Sequence, residues 1–377
     1  MKVVIVETVH AQYGLTQAEL FHEAQKVFFT TKKVGDQMHA LGPGLCEGQF
    51  ITIHDVGEAC QEIIRYCNRE QVDLLSFSPI FSNFESVLRI AEGVRASTAI
   101  TIHNLNYWFN ARFRTWKYYK QRRLKQRVLE AFDHIVVDEG LLAYLKNERP
   151  RLFRNYSFLA VPFTLFHERG PSRHKRSADE QGRLKVVLPG SIYQESRNYQ
   201  AVLEVIERFA MERAAITFSF AGPAIGEHGR KVVKRLEQAN QRCAGIAAYY
   251  PMGIPETSNL FEREMETADV LLSPLNAVFD ALGTREYYGK TKVPGATGDM
   301  ITYQLPGIIP EYVPIPPGLK GSVFHYFTAS ELFQLLNRFM SEPQALQQAR
   351  DQARANAYHY SAEVVRTGLA PLMGQGR

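Results

Sequence analysis

Short, wholly apolar runs that stop abruptly and give way to a helix pattern recur along this chain, and nothing constrains its fold more. Val3-Val4-Ile5-Val6 is the first, and Phe50–Ile53, Asp73–Phe77, Ala99–Ile102, Phe132–Val137 and Tyr156–Pro162 repeat the plan. A second series holds Leu184–Leu188, Ile216–Ala221, Ile246–Tyr250 and Val270-Leu271-Leu272. Runs of this length without polar alternation suit strands covered on both faces, which is the condition of a parallel sheet. The amphipathic stretches between them, among them Thr16–Phe29, Val56–Glu70, Glu85–Val94, Asp138–Lys146, Asn198–Met211 and Arg230–Gln238, suit the crossover helices such a sheet requires. The chain is expected to be α/β.

At 377 residues it is too long for one ordinary core. The two series are separated by His167–Gly182, which is polar and has no apolar periodicity. The expected division is a Rossmann-like domain at 1–165, a polar linker at 166–183 and a second Rossmann-like domain at 184–345. A carboxyl-terminal helix at 346–377 is expected to pack back on the first domain. Charge is only mildly basic, 44 Lys and Arg against 39 Asp and Glu for a net +5, which tolerates acidic ligands without requiring them. The four cysteines (Cys46, Cys60, Cys67, Cys243) have no metal-ligand spacing and read as reduced thiols. No run approaches the roughly 18 apolar residues of a membrane span, and Met1–Val6 enters a strand pattern at once, so a cytoplasmic protein is expected.

Chemistry concentrates where strands end. The loop after Val3–Val6 carries His10 and Gly14 but lacks the Gly-x-Gly-x-x-Gly of a dinucleotide enzyme, which counts against the most obvious rival class, a dehydrogenase. Ala99–Ile102 ends in His103-Asn104, a position that balances a catalytic histidine against a structural one. In the second half, Val270–Leu272 stops at Ser273-Pro274, and a loop with Arg285, Lys290, Lys292, Gly289, Gly295 and Gly298 leads to a helical turn at Asp299–Tyr303. Glycines and cations before a helix amino terminus can hold a phosphate, and an ordinary solvated loop fits the same residues. Asn106–Arg127 mixes aromatic residues (Tyr107, Trp108, Phe109) with cations (Arg112, Lys120, Arg123) and has no acid. That pattern suits an anionic lipid surface, or a solvated helix whose aromatic face docks on the core. Nucleic acid is not expected from one such cluster. Without an Asp-x-Asp, no metal is required.

Taken together, these segments resemble GT-B glycosyltransferases of the family-4-like retaining type, over nearly the whole chain. Val186–Tyr199 is similar to the strand, glycine turn and basic loop that open the family's second lobe; Tyr250-Pro-Met-Gly253 is similar to its Phe-x-Gly turn. Asp299-Met-Ile-Thr-Tyr-Gln-Leu-Pro306 resembles the acidic helix ending in Pro, Tyr358–Glu363 the closing aromatic-Ser-x-Glu, and Thr101–Asn104 the strand-end His beside the sugar. The family's first glutamate, eight residues before the acid, is Thr291 here; its Arg is Ser191 and its Lys-Gly is Asn198-Tyr199, with Arg197 the nearest cation.

The resemblance implies GT-B architecture, with two Rossmann-like parallel-sheet domains facing across a cleft. It implies transfer of a sugar from a nucleotide-sugar donor to a saccharide or lipid-linked acceptor, retaining and metal-independent, with no cofactor and a place in surface polysaccharide synthesis. His103, Arg197, Lys290, Lys292 and Asp299 would form the catalytic set, the three cations facing the leaving diphosphate. Gly190, Ser191, Tyr250, Gly253, Gly295, Thr297 and Gly298 would bind the donor, and His10 and Gly14 the acceptor. Asp299 would meet sugar or ribose hydroxyls, or else serve as an N-cap. Peripheral contact with the inner face of the membrane would run through Asn106–Arg127. The rival readings are a non-catalytic GT-B-like binding subunit and a GT-B sugar-nucleotide epimerase; the latter needs paired carboxylates that the motifs do not supply.

Overall fold

The first series of runs builds a parallel sheet of seven strands, in the order β3-β2-β1-β4-β5-β6-β7. A computed structural model of the chain describes residues 1–42, 44, 47–109, 116–167, 182–193, 196–249, 258–281 and 283–372, and the elements below lie among these. In chain order the first lobe has β1 (Lys2–Glu7), α1 (Ala11–Leu20), β2 (Gln25–Thr30), α2 (Lys32–Leu41), β3 (Gln49–Thr52), α3 (Cys60–Arg69) and β4 (Leu74–Phe77). It continues with α4 (Phe84–Gly93), β5 (Ser97–Thr101), α5 (Leu105–Phe109), α6 (Trp116–Ala131), β6 (His134–Val137), α7 (Glu139–Glu148) and β7 (Phe158–Ala160).

The second lobe has β8 (Leu184–Pro189), α8 (Gln200–Glu212), β9 (Ile216–Ala221), α9 (Gly226–Arg242), β10 (Ala247–Tyr249), α10 (Ser258–Glu266) and β11 (Val270–Leu272). A hairpin of β12 (Val278–Ala281) and β13 (Thr284–Tyr287) follows, then α11 (Gly295–Tyr303), β14 (Gly307–Pro310) and β15 (Val323–Tyr326). Its parallel sheet runs β10-β9-β8-β11-β14-β15. Three helices close the chain: α12 (Ala329–Ser341), α13 (Pro343–Tyr358) and α14 (Ala362–Thr367).

Both sheets are buried on both faces, as the unbroken apolar runs require. In the first lobe Val4, Val6 and Phe77 face a core shared with α3, α4, α6 and α7, while Val3, Ile5 and Phe28 face α1 and α2. Val186 and Phe218 face α8, α9 and α12 in the second lobe, and Val187 and Leu271 face α11 and α13. The chain end crosses back: Leu369 and Leu372 are buried in the core of α1, and Arg366 donates to the carbonyls of Leu20 (3.0 Å) and Glu19 (2.9 Å).

Several expectations are corrected. The segment Thr16–Phe29 is not one helix: α1 starts earlier, at Ala11, and the chain then forms β2, because Lys26–Phe29 is a short apolar run that helix and strand patterns fit equally well. Gly14 therefore lies inside α1 and not in a loop. The expected loop Gly295–Gly298 is the first turn of α11, and the stretch before it contains the hairpin. Residues 168–181, the bulk of the expected linker, lie outside the described residues, as do Cys46, Tyr250 and Gly253.

Candidate active site

In each sheet the strand order turns once, between β1 and β4 and between β8 and β11. Ligands of open α/β sheets bind at such turning points, beyond the carboxyl ends of the strands. The predicted residues on the first lobe gather there. Glu7 ends β1 fully buried, and its Oε1 accepts the backbone N–H of Val9 and of His10, each at 2.7 Å. Those two bonds set the tight loop that places His10 immediately before α1. The His10 ring stands edge-on to His103, at 5.3 Å between centroids, and to Phe163 and Phe81. His10 Nε2 and His103 Nδ1 are both buried and have no hydrogen-bond partner among the described residues. Burial, and next the charge of Lys292, lower both imidazoles, His103 to about 3. Both rings are neutral at neutral pH, able to donate and accept toward hydroxyl groups.

Lys292 comes from the second lobe. Its Nζ donates to Asn104 Oδ1 at 3.2 Å and stands 5.1 Å from the centre of the Phe279 ring. Burial lowers its pKa and the charge of Glu286 opposes the drop. Thr291, at the place of the family's first glutamate, is 1% exposed, and its hydroxyl accepts from the main chain of Tyr287 (2.8 Å) and the side chain of Asn106 (3.3 Å). Lys290 sits exposed on the turn, away from these contacts. The two lysines thus part company within three residues.

The glycine turn after β8 is built differently from the expectation. Gly190 has φ of +81°, and a Cβ there would lie 2.7 Å from Arg197 Nη2, so only glycine fits. Arg197 donates to the carbonyls of Pro189 (2.6 Å) and Ser191 (2.9 Å). Arg197 therefore spends two of its donors on the main chain of this turn.

At the start of α11 the cap position is Pro294, so Asp299 is not an N-cap; it is half-buried one turn into the helix. Thr297 donates its hydroxyl to the Pro294 carbonyl at 2.7 Å, and Gly295 is exposed with open space beside it. A Cβ at Gly298 would lie 2.8 Å from Thr164 Oγ1 of the first lobe, so this helix start abuts the crevice wall. Gly14 is buried inside α1, where a Cβ would lie 2.8 Å from the Met38 sulfur and 3.3 Å from Glu7 Cγ.

Two complete parallel sheets meeting at their carboxyl edges, with the last helix returned to the first lobe, decide the architecture. The fold is GT-B. Solved GT-B structures superpose on it end to end. A glycosyltransferase from Rickettsia africae matches with a TM-score of 0.66 and 8% identity, covering 100% of this chain and 99% of its own. Anabaena HepE in complex with UDP and glucose matches at 0.62 and 11% identity over 99% of both chains. A UDP-forming α,α-trehalose-phosphate synthase from Burkholderia xenovorans matches at 0.61 and 14% identity, again over 99% of both. No protein-family model and no curated protein matches the sequence. At such identities the likeness is one of GT-B backbone.

Of the predicted residues, the structure brings His10, His103 and Lys292 together, and groups Gly190, Ser191 and Arg197 with one another at the end of β8. Sequence reasoning missed Glu7 and Glu286, both 0% exposed. Glu7 had a visible signal, an acid at the end of an apolar strand; Glu286 had none, because the hairpin that carries it was read as loop.

Proposed function

We propose that the chain is a glycosyltransferase that takes a sugar from a nucleotide sugar, and that the nucleotide is UDP. The observation that carries this reading is the half-buried Lys292 ammonium facing two unpartnered neutral histidines where the lobes meet. A buried cation and open imidazole nitrogens are costly to leave unmet. An anionic leaving group and sugar hydroxyls would satisfy them. The structural likeness to HepE with UDP and glucose bound, and to a UDP-forming synthase, supports the same choice.

In this reading the diphosphate lies between Lys292 and the amino end of α11, where Gly295 leaves the backbone accessible. Lys292 stabilises the charge that grows on the leaving oxygen, and His103 receives the sugar. His10 faces the acceptor from the loop that Glu7 holds. Asp299 binds donor hydroxyls, and Arg197 keeps the Gly190–Ser191 turn in shape. A retaining, metal-independent reaction, a saccharide or lipid-linked acceptor and a role in surface polysaccharide synthesis complete the proposal, on the strength of the motif resemblance.

The basic face of α6, with exposed Lys120, Arg123 and Arg127, is proposed to touch anionic lipid. Tyr107 and Trp108 take no part, since both are buried in the core. Sedimentation with phosphatidylglycerol vesicles checks that contact; failure to sediment at low salt removes it. A thermal-shift screen of UDP-, GDP-, TDP- and CMP-sugars tests the main reading, with stabilisation expected from the UDP series. The anomer of the transferred sugar, read by NMR with and without EDTA, tests retention and metal independence together.

A further inference from the structure

The helix that follows His103 owes its start to the other lobe. The leading N–H groups of a helix have no partner in an earlier turn and need one elsewhere. In α5, Leu105 N donates to the Thr291 carbonyl at 2.8 Å, Asn106 N to Glu286 Oε2 at 3.2 Å and Tyr107 N to Glu286 Oε1 at 2.7 Å. The Asn106 side chain adds bonds to the Arg285 carbonyl (2.9 Å) and Thr291 Oγ1 (3.3 Å).

Glu286 is 0% exposed, on the β13 strand of the hairpin. Burial raises its pKa, against the Thr291 hydroxyl, the two main-chain N–H groups and the Lys292 charge, which lower it. On the first-lobe side Lys125 of α6 also feels it; its Nζ donates to the Tyr107 carbonyl at 2.9 Å and lies 3.1 Å from the Tyr107 ring centre. Six residues past Glu286, Lys292 faces His10, His103 and Asn104. A buried carboxylate that serves only packing would be a poor choice, since its desolvation is expensive. This one uses both oxygens on the main chain of the opposite lobe.

We propose that Glu286 is a positioning residue of the site: it grips the first turn of α5 across the crevice and, through the short turn after β13, holds Lys292 beside Asn104 and the paired histidines. What Lys292 does there rests on the nucleotide-sugar reading, whereas the grip does not. A role confined to general stability would leave local exchange and pH profiles unmoved, and these are the readouts.

The experiment compares wild type with Glu286→Ala and Glu286→Gln by hydrogen–deuterium exchange on peptides covering Leu105–Phe109, and by UDP titration from pH 6 to 10. Exchange at Asn106 and Tyr107 rises about tenfold or more in the alanine variant while the β1 and β8 peptides keep their wild-type rates. The glutamine variant, isosteric but uncharged, weakens UDP binding and moves its alkaline limb to lower pH, because the charge that opposes the lowering of Lys292 is gone. Unchanged exchange in 105–109, or acceleration spread evenly over both lobes, overturns the proposal. An alkaline limb that stays in place in the glutamine variant also counts against it. Absence of UDP binding by the wild-type protein overturns the nucleotide-sugar reading instead, and the exchange pattern then decides the grip by itself.

Discussion

Glu7 and His103 show how burial at one strand edge sets opposite pH dependences. The Glu7 carboxyl is pushed from an ordinary 4.5 to about 7, chiefly by burial. The folded chain keeps that proton where the unfolded chain has lost it, so the associated stability is full below about pH 4.5 and is lost as pH rises through about 7. His103 is held at about 3 against an ordinary 6.5, so its contribution is full above 6.5 and is lost as pH falls toward 3. Glu7→Gln keeps the shape and removes the ionisation. Urea unfolding at pH 5 and pH 8 is expected to show a difference between the two pH values about 3 kcal/mol more favourable to pH 8 in the variant than in wild type; equal differences would show that Glu7 does not titrate in this range. The histidines were legible in the sequence because each lies where an apolar run gives way to a loop. Lys290 and Lys292 were not separable there: with one residue between them they share a composition and a loop. Only the turn at Gly289, with φ of +72° and pressed against the Pro314 carbonyl, sends one outward and the other toward Asn104.

Among elements, the strands of both sheets were readable wherever a run was fully apolar, and the readings failed where two patterns overlap. The β2 run was absorbed into a neighbouring helix. The hairpin carries no Asn-Gly or Asp-Gly signal and turns at Gly283 with φ of +74°, so nothing local marks it. Val323–Tyr326 lies between a proline-rich stretch and a helix and pairs only at the sheet edge, with β14. What no local pattern could show is which distant segment satisfies a helix end, and the start of α5 depends on this. The segment after α14 is a clearer case, because two leucines there are buried against the first lobe. Leu369 and Leu372 are 0% and 5% exposed against the first lobe. A chain ending at Gly368 loses both, at a cost of about 3–6 kcal/mol. The urea midpoint of the first-lobe transition is expected to fall accordingly, and an unchanged midpoint would mean that the segment after α14 does not support that lobe.

At the scale of the molecule, the lobes are tied by more than one element. Beyond the hairpin contacts, Gly318 N donates to Glu139 Oε1 of the first lobe at 3.1 Å. No helix among the described residues is long and apolar enough to cross a membrane. The two-lobed architecture follows from the doubled series of apolar runs, whereas the site depends on which residues of each lobe meet, and that is settled by tertiary contacts alone. The central claim is that Lys292 meets the diphosphate of an activated sugar. Calorimetric titration of wild type and Lys292→Ala with UDP-linked sugars tests it most directly. The account predicts binding by wild type and a loss of about 10- to 100-fold in the variant, the weight of a hydrogen bond to a charged group. Equal affinity in the two proteins, or no binding of any UDP-linked sugar by wild type, would contradict it.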